Sequence, residues 1–140
     1  MTTYSYTTLD DPFDSNGGTT SALGINDQGQ IVGLYQVSGN FPNRGMYGFV
    51  EKGGIYTTID DPLASTAPPG AHTTVAFGIN NAGQIVGYYD YLNVTDVTRG
   101  FLDNGGSYTD LIDAAAMGTG TQAFGINDKG QVVGSLTMPA

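Results

Sequence analysis

The phrase Gly24-Ile-Asn-Asp-Gln-Gly-Gln-Ile-Val-Gly33 returns as Gly78-Ile-Asn-Asn-Ala-Gly-Gln-Ile-Val-Gly87, and again as Gly125-Ile-Asn-Asp-Lys-Gly-Gln-Val-Val-Gly134. The copies begin roughly fifty residues apart, a spacing at which each unit is one small supersecondary element that buries its face against the next. A chain spent on one recurring unit builds an array. This constrains architecture far more than activity.

Each unit reads as four short strands. The first runs into the phrase: Ala22–Ile25, Val75–Ile79 and Gln122–Ile126. An Asn-Asx-x-Gly turn follows, in which the Asx side chains cap nearby N–H groups and the glycine takes positive φ. The second strand is Gln30–Tyr35 or Gln84–Tyr89, and the third carries Gly48-Phe-Val50 or Gly100-Phe-Leu102. A two-glycine turn leads to the fourth, Tyr56–Asp60 or Tyr108–Asp113. Tyr6–Asp10 repeats that fourth strand without the strands that should precede it. Eleven strands result, twelve if Ser135–Met138 also pairs. Helices are disfavoured because apolar residues alternate or run in short blocks and glycine interrupts them. Leu111–Met117 is the one stretch with a helical alternative, and its place in the repeat reads as strand followed by loop. The chain is thus a single all-β domain over residues 1–140, with units at 1–20 (partial), 21–60, 74–113 and 121–140 (partial).

Loop length orders the unit. Links between strands one and two, and between three and four, are short and nearly invariant. Those between strands two and three (Gln36–Tyr47, Asp90–Arg99), and from unit to unit, are long and differ between copies. In an antiparallel meander the two classes fall at opposite ends, so all the variation gathers on one face.

The wording Gly-Ile-Asn-Asx-x-Gly-Gln-Ile/Val-Val-Gly, with a following Gly-Phe-Leu, resembles the bacterial extracellular HAF-type repeats over nearly the whole chain, Tyr6 to Leu136. The resemblance implies a propeller-like arrangement and an extracellular or cell-surface setting, and carries no chemistry with it. No signal peptide is visible at Met1-Thr-Thr-Tyr4. A propeller needs about four blades or more, so a second chain is expected to complete the ring as a head-to-tail dimer. The alternative fold is a monomeric β-trefoil of three four-stranded units.

Composition removes several functions. The formal charge is −9, with Lys52, Lys129, Arg44 and Arg99 the only basic side chains, which disfavours nucleic acid and anionic membrane surfaces as partners. No cysteine is present, so disulfides and thiolate chemistry are excluded. His72 is the single histidine, in a variable loop after Pro68-Pro-Gly70, and reads as a solvated side chain; neither a triad nor a zinc site can be assembled around it. No cofactor is implied.

Three groups of residues have a chemical reading. Asp10-Asp-Pro12 with Asp14 and Asn16 offers oxygen ligands for calcium, against a preferred reading in which one Asp of each Asp-Asp-Pro (also Asp60-Asp-Pro62) caps the loop. The repeated Asp27, Asn81 and Asp128 read as turn formers. Tyr35, Tyr89 and Tyr91, with Asp90, Arg44 and Arg99, stand where the long loops begin; Phe41 and Tyr47 lie beside them. Tyrosine faces stack on sugar rings while neighbouring Asp, Asn and backbone groups bond the hydroxyls, so carbohydrate binding at this edge is the most concrete expectation. Against it stands the view that tyrosines fill the space between units while Phe49, Phe77, Phe101 and Phe124 pack the core. The favoured function is a non-enzymatic binding or structural module that takes glycans at the loop face. A purely structural assembly repeat is the alternative and a glycoside hydrolase the second, since carboxylates are plentiful but none stand out as a pair. Asn93-Val-Thr95 matches a glycosylation pattern and reads as incidental.

Overall fold

The computed structural model describes residues 1–14, 17–39, 44–64, 72–91, 97–116 and 120–138, and the chain is all-β. Strands β1 (Thr20–Ile25), β2 (Ile31–Val37), β3 (Gly45–Lys52) and β4 (Ile55–Ile59) form the first unit. Strands β5 (His72–Ile79), β6 (Ile85–Asp90), β7 (Thr98–Asn104) and β8 (Ser107–Leu111) form the second, and β9 (Thr121–Ile126) with β10 (Val132–Leu136) the start of a third. Within each unit every neighbour pair is antiparallel. A short 3₁₀ turn at Ala114–Ala116 follows β8, where the repeat position predicts a loop.

The turns carry the geometry their residues predict. Gly29, Gly83 and Gly130 sit at φ of 73°, 79° and 76°, closing the Asn-Asx-x-Gly turns. Both residues of each two-glycine turn are also left-handed, as a two-residue hairpin with the right strand twist demands. Short turns at 26–30 and 53–54 therefore lie at one end of the first unit, and Val37, Gly45 and Ile59, from which the longer links run, at the other. The second unit repeats this arrangement.

Each first strand bulges. The register of β1 on β2 skips between Ala22 and Gly24, and that of β5 on β6 between Ala76 and Gly78. The extra residue is Leu23 or Phe77; Phe124 takes the same place in β9. A bulge re-aims its side chain, and Phe77 meets Phe124 edge-on across two units, ring centroids 5.0 Å apart. Phe49 and Phe101 are wholly buried, whereas Phe77 is half-buried and Phe124 exposed.

Units join by first strand on preceding sheet. β5 packs on β1, β2 and β3, and β9 on β5, β6 and β7. A two-residue parallel bridge also links β3 to β5, Gly45 opposite His72 and Met46 opposite Thr73. Val32, Ile59, Ala76, Ile79, Ile85, Tyr89 and Phe101 form the core between the units. Burial of each of the larger side chains contributes about 1.5–3 kcal/mol.

Two expectations are corrected. Tyr6–Asp10 forms no strand: residues 1–8 are exposed, and among the described residues no partner strand lies alongside to take their backbone hydrogen bonds. Ser135 belongs to β10 and starts no further strand, so the described residues hold ten strands. The β-trefoil requires a closed barrel, and none forms among the described residues.

Candidate functional site

The short-turn end is a hydrogen-bonded ladder. Asn26, Asn80 and Asn127 each fold their side chain back into their own turn: Oδ1 accepts from the N–H two and four residues on, and Nδ2 donates to Gln30, Gln84 or Gln131. The same Nδ2 reaches the next unit. Asn26 Nδ2 donates to the Asn80 carbonyl at 3.0 Å, and Asn80 Nδ2 to the Asn127 carbonyl at 3.1 Å. One residue later, Asp27 N–H donates to Asn81 Oδ1 and Asn81 N–H to Asp128 Oδ1, both at 2.8 Å. Asn81 Nδ2 lies between the two carboxylates, 2.7 Å from Asp27 Oδ2 and 2.8 Å from Asp128 Oδ2. The turn residues thus also hold unit to unit.

The long-link end carries the side chains singled out for binding, and most are engaged within the fold. Tyr35 and Tyr89 are buried. The Tyr35 hydroxyl pairs with Thr58, and that of Tyr89 donates to Asp110 Oδ1 at 2.7 Å. Burial pushes both phenols up, Tyr89 more strongly because the Asp110 carboxylate adds to it. Asp90 ends β6 and Arg99 lies within β7, so both are strand residues where the sequence suggested loop. Arg99 Nη1 donates to Asp110 Oδ2 at 3.2 Å, and its guanidinium stands 3.3 Å over the Tyr91 ring. Arg44 is exposed; it lines a groove of about 330 Å³ with Gln36, Met46 and Thr73. Tyr35 and Tyr89 thus have buried rings, Arg99 is held between Asp110 and Tyr91, Asp90 and Tyr91 are half-buried, and Arg44 is exposed.

The acidic corners are structural. Asp11 Oδ1 accepts from Phe13 N–H and Asp61 Oδ1 from Leu63 N–H, each at 2.9 Å. Asp14 Oδ2 accepts from the Thr20 hydroxyl, and Asp10 offers its N–H to the Tyr56 hydroxyl, as Asp60 does to Tyr108. Burial raises the Asp11 and Asp61 carboxyls above their ordinary range, opposed by those backbone bonds. Burial, with Asp103 nearby, also lifts the Tyr108 phenol to about 12. Among the described residues no group of three or more His, Asp or Glu side chains converges to hold a metal ion, and Asp11 Oδ1 and Asp14 Oδ2 accept hydrogen bonds within the corner.

His72 is likewise corrected from loop to strand. It opens β5, is buried, sets Nε2 2.6 Å from Asp60 Oδ1 and stacks on Tyr47 with centroids 4.7 Å apart. The run His72-Thr-Thr-Val, continuous with the strand after it, could have revealed this. A second missed group is Thr20, Thr74 and Thr121, each five residues before the isoleucine of the phrase. Their hydroxyls tie each first strand to the preceding corner through Asp11 and Asp14, through Asp60, and through the Leu111 carbonyl. Asn16, Phe41, Pro68–Gly70, Asn93–Thr95 and Met117 lie outside the described residues. Among those described, no helix is long and apolar enough to cross a membrane.

No family model, curated protein or solved structure matches the chain.

Proposed function

We propose that this chain is a non-enzymatic β-repeat module whose work is assembly: units pack one upon another, propeller-like, and the end faces engage further units. The observation that supports this most is the recurrence of the same contacts at both junctions, Asn26 to Asn80 and Asn80 to Asn127. Identical contacts at successive junctions are what a repeat selected for stacking needs. A second is the corner at Asp10, whose N–H meets Tyr56 as that of Asp60 meets Tyr108, so the chain enters the first unit as it enters the second. The HAF-type wording favours an extracellular or cell-surface setting. The partner in solution is a second copy joined head to tail, and nucleic acid and membrane surfaces are not partners of so acidic a chain.

Sedimentation equilibrium tests this. The mean mass rises with concentration above that of one chain, and deleting residues 1–10 weakens the rise. A mass fixed at one chain throughout overturns the assembly reading.

A second reading, carbohydrate binding at the long-link face, is favoured by the groove beside exposed Arg44. It predicts glycan-array binding that Arg44→Ala removes.

A further inference from the structure

Three positions of the repeat have the same sequence role and different surroundings. Val32 and Val86 are 0% exposed, while Val133, their counterpart in β10, is 68% exposed. A Cβ built on Gly24 would lie 2.7 Å from the Phe77 carbonyl oxygen and 3.4 Å from Gly78 Cα; one on Gly78 would lie 3.1 Å from Gly125 Cα. The backbone of the next first strand passes directly over each. A Cβ on Gly125 meets only Val133 of its own unit, at 3.2 Å. The face of β9 and β10 thus repeats the receiving surface of the first two units, and none of the described residues is seated on it. Beside it runs a groove of about 400 Å³, lined by Leu111, Ile112, Ala123, Val132, Val133 and Leu136.

The ladder specifies what fits. Along Asp27, Asn81 and Asp128 the residues alternate, and the single amide of Asn81 supplies a proton to a carboxylate on either side. A following unit with Asn at this position would give Asp128 the contacts that Asp27 has: its N–H would find an acceptor in Oδ1 and its Oδ2 a donor in Nδ2. A following unit with Asp there would set two carboxylates at hydrogen-bond distance with no proton between them. Like charges so placed are strongly disfavoured.

We infer that the β9–β10 face docks a further repeat unit of the same Gly-Ile-Asn type that presents asparagine, and discriminates against aspartate, at the position of Asn81. The incoming backbone passes over Gly125, its apolar strand covers Val133 and Leu136, and its turn asparagine bonds Asp128. This rests on the assembly reading and adds the partner's chemistry. A second wild-type copy offers Asp27 here, so its head-to-tail association is weak; Asp27→Asn converts the chain into a matching partner.

The test compares sedimentation equilibrium of the wild type, Asp27→Asn, and Asp27→Asn combined with Gly125→Ala, with circular dichroism confirming the fold. Asp27→Asn is expected to tighten self-association by about ten-fold, the equivalent of one net hydrogen bond. Adding Gly125→Ala returns it to the wild-type level or below. Should Gly125→Ala fold poorly, Val133→Glu at the exposed face replaces it. If the wild type associates and Asp27→Asn does so no more tightly, or if the added face substitution changes nothing, the inference falls while assembly stands. If no variant exceeds the mass of one chain, both fall.

Discussion

Replacing the turn asparagine by alanine should cost most in the middle unit and least in the last. Asn80 is buried and makes four hydrogen bonds: from Ala82 N–H and Gln84 N–H to its Oδ1, and from its Nδ2 to Gln84 Oε1 and the Asn127 carbonyl. Each is worth about 1 kcal/mol net, and partners stranded in a part-buried turn add their desolvation, so Asn80→Ala should cost about 3–4 kcal/mol. Asn26 makes the same four bonds in a more open setting, and about 2–3 kcal/mol is expected there. Asn127 has only the three bonds within its own turn, all exposed, where water replaces what is lost; about 1 kcal/mol is expected. Urea unfolding at constant m-value measures the series. Three equal losses would refute the claim that the asparagine holds neighbouring units together, because a role confined to its own turn is the same in every copy.

Gly78→Ala places a methyl 3.1 Å from Gly125 Cα and 3.2 Å from the Phe124 carbonyl oxygen, backbone that must move, so a loss of about 1–3 kcal/mol is expected by urea unfolding. Gly125→Ala should leave the stability of the isolated chain nearly unchanged. Asp61 is buried with Oδ2 unpartnered, and its carboxyl is raised by burial. A folded-state value above the unfolded one means the folded form holds its proton longer. The penalty is therefore absent below the unfolded value of about 4, develops as pH rises from there to the folded one, and is full above it. Asp61→Asn should exceed the wild type by about 1 kcal/mol at neutral pH, and the two should converge by about pH 3. A difference independent of pH would contradict it.

The tripled phrase displayed the unit, its strands and its tight turns, because Asn, Asx and Gly at fixed offsets encode a local conformation that needs no tertiary context. What it hid was how units touch. Asn26 looks the same whether its amide ends in water or on Asn80, since that choice depends on a residue in another unit. The segment Tyr6–Asp10 carries a strand's residues without forming one for a related reason: propensity describes what a segment can join, and pairing requires a neighbour. Tyrosines beside long loops suggested a stacking edge, yet strand alternation points Tyr35 and Tyr89 inward. His72 reads as loop in the sequence because the proline-rich stretch before it sets the apparent boundary past the true start of β5.

The two whole units differ most where their long links meet, and the difference obeys its own logic. Tyr35 faces Tyr47 across β2 and β3 with Thr58 on its hydroxyl; Tyr89 faces Arg99 across β6 and β7 with Asp110 on its hydroxyl. One unit is neutral at all three places, while the other has exchanged two of them for an ion pair about three-quarters buried, with 26% and 24% side-chain exposure. Such a pair adds little against a neutral pair of similar size, yet removing one half strands the other. Arg99→Ala should therefore cost about 1–2 kcal/mol, as Asp110 keeps only the Tyr89 hydroxyl and the Tyr91 ring loses its cation. Adding Asp110→Thr should restore about half of that, because threonine reproduces the neutral arrangement the first unit already uses. Additive losses in the double variant would mean that arginine and aspartate act independently, and that the exchange between units is not a coupled one.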